Sequence, residues 1–457
     1  MTNRVPGFLP DETPKPAELF FFALQQIVVM FPATVLVALI TGFHVSTTIF
    51  ASGLATLAFL LFTKRQIPLY YGSSFSYITA IASIMGGAAY QHLSLNQRIS
   101  MAQFGIMMSG LVSIAAGFII KKYGAKLIEK VLPATVTGSV AIIIGLSLCA
   151  NAMSNASAAP EGFAGYGNDW AWVIALITLI STILYSVYLK GRLSQLPILF
   201  GLATGYGGAI PIQFLTKIPF INLNTIAGPI VQLPIITLPT PSWVAVAAIM
   251  PIAIATIPES TAHIFQLHIY VNDLARKKGG KKYYDLENKL GLNLIGDGIG
   301  DIVSASIGGP AGTNYGENIS AMAISKNFSV AVLMAAAVIT MIMASFTPLI
   351  NMVYSIPTPV IGGLSIYLFG IIAAQGIAII IEKKVDMFSS KNLAIIAVIL
   401  IVGLGGTFSF DGGMIKVFGV SFPAIATAAL SGILLNLLLS LGKGEEPVVV
   451  DEADLQS

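Results

Sequence analysis

Apolar runs of about 20 residues, the length that crosses a bilayer as a helix, recur from Leu19 to Leu441. In hydrocarbon the backbone must satisfy its own hydrogen bonds, so only helices and closed barrels span it. Runs of this length select helices. Composition agrees: 55% of the residues are hydrophobic and only 10% are charged, where soluble domains carry about a quarter. The sequence predicts an all-α polytopic membrane protein, one integrated body rather than several soluble domains.

Spans are expected at 17–42, 44–63, 66–88, 99–120, 133–152, 169–189, 194–216, 242–268, 288–308, 310–325, 328–350, 354–376, 390–407 and 420–441. That gives fourteen, flanked by a polar tail over 1–16 and an acidic tail over 442–457. An even count puts both termini on one side. Only Arg98, Lys217 and Lys416 of the 24 Lys and Arg residues then fall on the opposite side. The positive-inside rule makes the terminal side cytoplasmic. The start, MTNRVPGFLPDETPKP, lacks the basic and apolar regions of a cleavable signal. The lone Cys149 excludes a disulfide and a cysteine metal site.

The two halves echo each other. LPATVTGSVAIIIG, from Leu132, resembles IPTPVIGGLSIYLFG, from Ile356. YYGSSFSYITAIA, from Tyr70, resembles NYGENISAMAIS, from Asn314. Both pairs relate span n to span n+7. Seven is odd, so the second copy, 242–441, lies inverted to the first, 17–216. Inverted repeats are the architecture of many secondary transporters, whose sites sit at broken helices. Spans three and ten read as broken. QIPLYYGSSFSY shows helical spacing only after Ser73, and GGPAGTNYGEN precedes a helix that starts near Glu317. Each break leaves the first N–H groups of a half-helix free to donate to a ligand.

Acids at membrane depth cost about 2.5–3.5 kcal/mol each on insertion scales. Four are expected within spans: Glu259, Asp297, Asp301 and Glu317. His263 follows Glu259 by four residues and shares its helix face. A carboxylate beside an imidazole there is a candidate proton carrier. Asp297 is expected to support helix packing and Asp301 to face a loop. His44, His92 and His268 sit at expected span ends and read as interfacial. Other chemistries fit poorly. GIGD, Gly298 to Asp301, has the form of an intramembrane aspartyl protease motif, but the only Tyr-Asp pair that could supply the partner acid, Tyr284-Asp285, sits in a Lys-rich loop expected outside the membrane. GLGGTFSFDGG lacks the Lys-Ser/Thr ending of a phosphate loop. RKKGGKK fits anionic lipid rather than nucleic acid. The chain is not expected to be an enzyme or to hold a metal.

IPLYYGSSFSYI, PESTAH and TNYGENISAMAISK together resemble the nucleobase–ascorbate transporters (nucleobase:cation symporter-2), most of all the bacterial uracil permeases. The resemblance extends from QQIVVMFPATVLV in the first span to the twelfth. It implies a core, 17–120 with 242–350, and a gate, 133–216 with 354–441. It implies a nucleobase held between the broken third and tenth spans, uptake coupled to protons without another cofactor, and a homodimer in the plasma membrane. By position, Glu259 and Glu317 resemble the substrate carboxylates and Phe75 the aromatic residue beside the base. Gly316 offers backbone to the site, and Tyr315 and Phe369 lie around it. His263 and Tyr315, with Glu259, match positions implicated in proton coupling. Gln26, Asp297 and Asn318 are supporting polar residues.

The sequence also departs from the pattern. Gln26 stands where many relatives have His, and Phe369 where the uracil branch has Tyr. Ser320, Ser325 and Lys326 replace Gly, Thr and Arg in the signature. EST resembles the purine-carrying branch, while His263 and YGEN resemble the uracil branch. A proton-coupled importer of uracil or a close pyrimidine is therefore expected. A xanthine or uric acid symporter, and an inorganic-anion exchanger or channel of the same inverted fold, are the alternatives.

Overall fold

A computed structural model describes residues 6–87, 90–124, 132–221, 229–280, 282–417 and 420–441. The expected acidic tail, 442–457, lies outside them. The chain opens with helices α1 (Pro16–Thr41) and α2 (Val45–Phe62), strand β1 (Tyr71–Ser73), a 3-10 turn (Phe75–Tyr77), and helices α3 (Ile78–Met85) and α4 (Leu95–Tyr123). Helices α5 (Ala134–Ser147), α6 (Cys149–Ala156), α7 (Tyr166–Tyr188) and α8 (Pro197–Thr216) complete the first half. The second half opens with α9 (Trp243–Ile249), α10 (Ile252–Lys277), α11 (Leu290–Ser306), strand β2 (Gly312–Asn314) and α12 (Gly316–Ser325). Then come α13 (Val330–Met343), α14 (Thr347–Tyr354), α15 (Thr358–Glu382), α16 (Ser390–Leu400), a π turn (Ile401–Gly405) and α17 (Gly406–Ser409). Strands β3 (Met414–Val417) and β4 (Val420–Pro423) lead into α18 (Ala424–Leu439).

Among the described residues, nine helices are long and apolar enough to cross a membrane. Outward side chains such as Phe21, Leu184 and Ile381 are apolar and exposed, as a surface facing lipid requires. Local sequence explains the ends. Pro16 occupies the first turn of α1, and Gly42 closes it in the left-handed region at φ 77. Ser94 and Gln97 form a reciprocal capping box on α4.

Packing partners exchange when the halves are swapped. Helix α4 packs on α11, and α2 on α13. Helix α7 packs on α8, and α16 on α18. Helix α5 meets α15, and β1 pairs with β2, each pair mapping onto itself. Glycines set the closest approaches, as in many membrane interfaces. A Cβ on Gly298 of α11 would lie 2.2 Å from the Gly110 carbonyl oxygen of α4. One on Gly376 of α15 would lie 2.5 Å from that of Gly138 on α5.

Four expectations are corrected. The eighth span breaks between Ile249 and Ile252, where Pro251 stands, and then runs past 268 to Lys277. Its extension is held by Asn272, which exchanges two 2.9 Å hydrogen bonds with the Tyr284 backbone. His268 is consequently buried rather than interfacial, with the Tyr283 hydroxyl 3.1 Å from Nε2. The eleventh span divides into α13 and α14, with Pro348 restarting the second piece. The fourteenth span begins as strand β4, and its helix starts only after Pro423.

The N-terminal segment is not a free tail from residue 6 onward. Phe8 lies along Asn327 as a parallel bridge. Its N–H donates to the Lys326 carbonyl at 2.8 Å, and its own carbonyl accepts from Phe328 at 2.8 Å. Lys278 donates to Glu12 at 2.6 Å and to the Gly7 carbonyl at 2.9 Å. Asp11 accepts from Lys282 and from the Tyr284 hydroxyl. This strap joins the end of α10 to the turn between α12 and α13.

Candidate functional site

Strands β1 and β2 pair antiparallel, with Tyr71 opposite Asn314, Gly72 opposite Thr313 and Ser73 opposite Gly312. They are 3 residues each and fully buried. Surrounding hydroxyls complete their hydrogen bonding. Thr56 of α2 accepts from the Tyr71 N–H at 3.1 Å and donates to its carbonyl at 2.8 Å. Ser52 donates to the same carbonyl at 3.0 Å. Glycine makes the crossing narrow enough: a Cβ on Gly72 would lie 2.5 Å from the Tyr315 ring.

Each strand feeds a helix start. After β1 comes Ser74, whose hydroxyl caps the Ser76 N–H, and then Phe75. After β2 comes Tyr315, extended at φ -87 and ψ 116, and then α12 with Glu317 in its first turn. The free N–H groups and dipole of a helix start favour a negative charge there. Helix α10 runs alongside. Pro258 lacks an N–H, so the Ile254 carbonyl loses its helical donor one turn from Glu259.

Five of the expected residues converge here. The Ser76 hydroxyl lies 3.4 Å from Glu259 Oε2, joining the third span to the eighth. A Cβ on Gly316 would lie 2.9 Å from His263 Nε2, so the imidazole packs directly on the start of α12. Glu317 lies within electrostatic reach of Glu259. It is exposed to solvent even though protein packs around it. Glu259 and Phe75 are half-buried beside it. His263 Nδ1 is buried without a hydrogen-bond partner.

The remaining expected residues stand around this centre. The Tyr315 hydroxyl donates to the Ser73 carbonyl at 2.9 Å and lies 2.9 Å from Thr34 Oγ1. Asn318 donates to the carbonyl and side chain of Gln26 at 3.0 and 2.8 Å, tying α12 to α1. Phe369 is buried in the apolar cluster of Val37, Ile78 and Leu148, against which Phe75 also packs. Asp297 accepts from Ser260 at 2.6 Å and from Asn314 at 2.7 Å. It thereby braces the residue after Glu259 and the end of β2.

Sequence reasoning missed Ser76, Ser260, Thr34 and Asn314. Ser76 and Ser260 directly follow chosen residues, and that adjacency was the available signal. It also misplaced Asp301, which is buried at 2% exposure rather than facing a loop. Among the described residues, no group of three or more His, Cys, Asp or Glu could hold a metal ion. Two cavities lie elsewhere: an apolar groove of about 1000 Å³ beside Phe50 and Ile342, and one of about 810 Å³ beside the N-terminal strap.

Solved structures resemble the whole arrangement. Murine Slc26a9, an anion transporter in its inward-facing state, matches with a TM-score of 0.64 at 13% identity, over 94% of this chain and 69% of that one. The transmembrane domain of the cyanobacterial bicarbonate transporter BicA matches with a TM-score of 0.54 at 15% identity, over 93% and 99%. At such identities the likeness concerns fold alone. Sequence relatives lie nearer. The uracil permease of Bacillus caldolyticus is 36% identical, over 94% of both chains. That of Escherichia coli (strain K12) is 31% identical over 99% of both. The putative pyrimidine permease RutG of Escherichia coli (strain K12) is 32% identical over 94% of this chain and 91% of that one. The family model Xan_ur_permease, described as Permease family, matches residues 17–412. The chain belongs to this permease family, nucleobase:cation symporter-2.

Proposed function

We propose that the chain imports uracil, or a closely related pyrimidine, by proton-coupled alternating access. Nucleobase transport itself is what its family and its relatives named uracil permease support. The observation that carries the finer reading is the convergence of Glu259, Glu317 and Phe75 between two half-helix starts. Uracil offers two N–H donors, two carbonyl acceptors and a flat face. Carboxylates take the N–H groups, the N–H groups at the start of α12 meet a carbonyl, and Phe75 covers the ring. Two acids facing one cleft would repel an anion, which disfavours anion exchange despite the shared fold.

Glu259 packs beside the turn that holds His263, and a proton on this pair changes how the base is held. A ligand that distinguishes two conformations shifts their populations. The exchange symmetry of the packing supports two inverted seven-span repeats and a count of fourteen. In this reading the gate, 133–216 with 354–441, moves against the core, 17–120 with 242–350. The protein is multi-pass in the cell membrane with both termini cytoplasmic, and pairs as a homodimer.

Proteoliposomes with an inward proton gradient should accumulate labelled uracil, and an uncoupler should abolish the accumulation. Uptake indifferent to the uncoupler would contradict proton coupling. Unlabelled uracil and thymine should compete better than xanthine, uric acid or hypoxanthine. Preferential competition by xanthine or uric acid would transfer the assignment to a purine.

A further inference from the structure

Asp301 takes no part in the transport reading, yet it is among the most deeply buried acids of the chain. One oxygen, Oδ1, accepts from the Tyr71 hydroxyl at 2.7 Å and from the Gly312 N–H at 2.8 Å. Tyr71 is the first residue of β1 and Gly312 the first of β2. A single carboxylate on α11 therefore grips both strands, at diagonal corners of the ribbon.

The ribbon needs such a grip. Two strands of 3 residues are not stable on their own. Strand register is also a discrete choice: a slip of one residue sends every side chain to the other face and moves the chain by about 3.3 Å. Phe75 and Glu317 follow directly on the two strands, so a slip would separate them. On the α2 side, Thr56 and Ser52 hold only the backbone of Tyr71. On the α11 side, Asp301 reaches β1 and β2 together.

The surroundings shape this contact. The Tyr71 ring stacks on Phe59, with centroids 6.3 Å apart at 18°. It fills the space left open by two glycines, where a Cβ on Gly300 or Gly312 would lie 2.8 or 2.3 Å from the ring. The Asp297 carbonyl lies 3.1 Å from the same hydroxyl as a second acceptor. Asp297 itself answers to Ser260 and Asn314. The two acids of α11 thus divide the work, Asp297 bracing the end of β2 and Asp301 both strand starts.

We propose that Asp301 is a positioning residue for the transport site, its bonds to Tyr71 and Gly312 locking the register of the β1–β2 ribbon and so the spacing of Phe75 from Glu317. The effect on affinity rests on the nucleobase reading; the lock itself does not. Two measurements on the purified full chain separate them. Tyr71→Phe keeps the ring and its stack, and Asp301→Asn keeps an acceptor of the same shape, so each variant should remain monodisperse.

In hydrogen–deuterium exchange without ligand, each variant should lose protection over 71–75 and 311–317 together, while α5 and α15 stay unchanged. Protection lost in one strand alone, or in neither, overturns the lock. In labelled-uracil binding, each single variant should weaken affinity by about tenfold, as expected when a hydrogen bond to a charged group is deleted or left with a neutral acceptor. The double variant should be no more than about twofold worse than either, because Tyr71→Phe deletes and Asp301→Asn weakens the same Tyr71–Asp301 contact. Independent, multiplying losses would overturn the shared role. Coupled exchange in a wild-type chain that binds no uracil would keep the lock and reject the nucleobase reading.

Discussion

Among the described residues two small antiparallel ribbons lie between the helices, and they are built on opposite principles. Strands β3 and β4 are neighbours in sequence, joined through residues 418 and 419. Their pairing is local in sequence, and Phe422 is 43% exposed on it. Strands β1 and β2 are separated by more than half the chain and are wholly buried. Their pairing depends on Thr56, Ser52 and Asp301 and on glycines at the crossing. The local ribbon is a connector, whereas the remote ribbon aligns two helix starts. Extended backbone at membrane depth is tolerated only inside protein or along a cavity, and here it does both.

The largest expected effect breaks the remote ribbon outright. In Gly312→Val, the new Cβ meets the Tyr71 ring and the Gly72 carbonyl oxygen, the latter at 2.7 Å. Overpacking of this kind costs about 1–3 kcal/mol and sometimes more. The variant should lose several degrees of thermal stability and all measurable uracil binding; a stable, binding-competent variant would refute the packing argument. Gly316→Ala is milder, because its Cβ meets the tip of a side chain, His263 Nε2 at 2.9 Å. It should weaken binding by roughly tenfold, about 1.4 kcal/mol, with little change in melting temperature.

Smaller still is the strap. Burial alone would raise the Asp11 carboxyl, but hydrogen bonds from Lys282 and Tyr284 outweigh it and hold it below the usual carboxylate range. A lowered folded value contributes stability above the unfolded value and loses it as pH falls through the folded one. The strap should therefore stay docked at neutral pH and loosen below about pH 4, the unfolded range of Asp. Exchange rates over residues 7–12 would follow this, and Asp11→Asn should reduce the pH dependence. The smallest effect belongs to the local ribbon: Phe422→Ser should change stability by about 0.5 kcal/mol or less and leave uracil affinity unaltered.

The same contrast explains what could be read in the sequence. Hydropathy placed the helices, since each apolar run reports on its own surroundings. The two breaks were visible because Gly and Pro act locally, and Glu259 with His263 because i and i+4 share a helix face. The resemblance of YYGSSFS to NYGENIS even marked the segments that pair. What stayed hidden was contact between distant residues. Nothing near Asp301 in sequence announces Tyr71, so an acid one turn beyond Asp297 read as a loop residue. The strap was hidden because a polar, Pro-rich start has no periodicity, and its partners lie beyond residue 270. Strand β4 was merged into a span because VSFP carries no charge and runs straight into the apolar helix that follows.

The central claim is that the remote ribbon brings Glu259 and Glu317 to one flat base. Equilibrium binding of labelled uracil to wild type and to Glu317→Ala, both purified and monodisperse, tests it most directly. Wild type should bind saturably, and Glu317→Ala should bind at least tenfold to a hundredfold more weakly, the loss expected for hydrogen bonds to a charged group. Equal affinity in the two proteins would contradict the account.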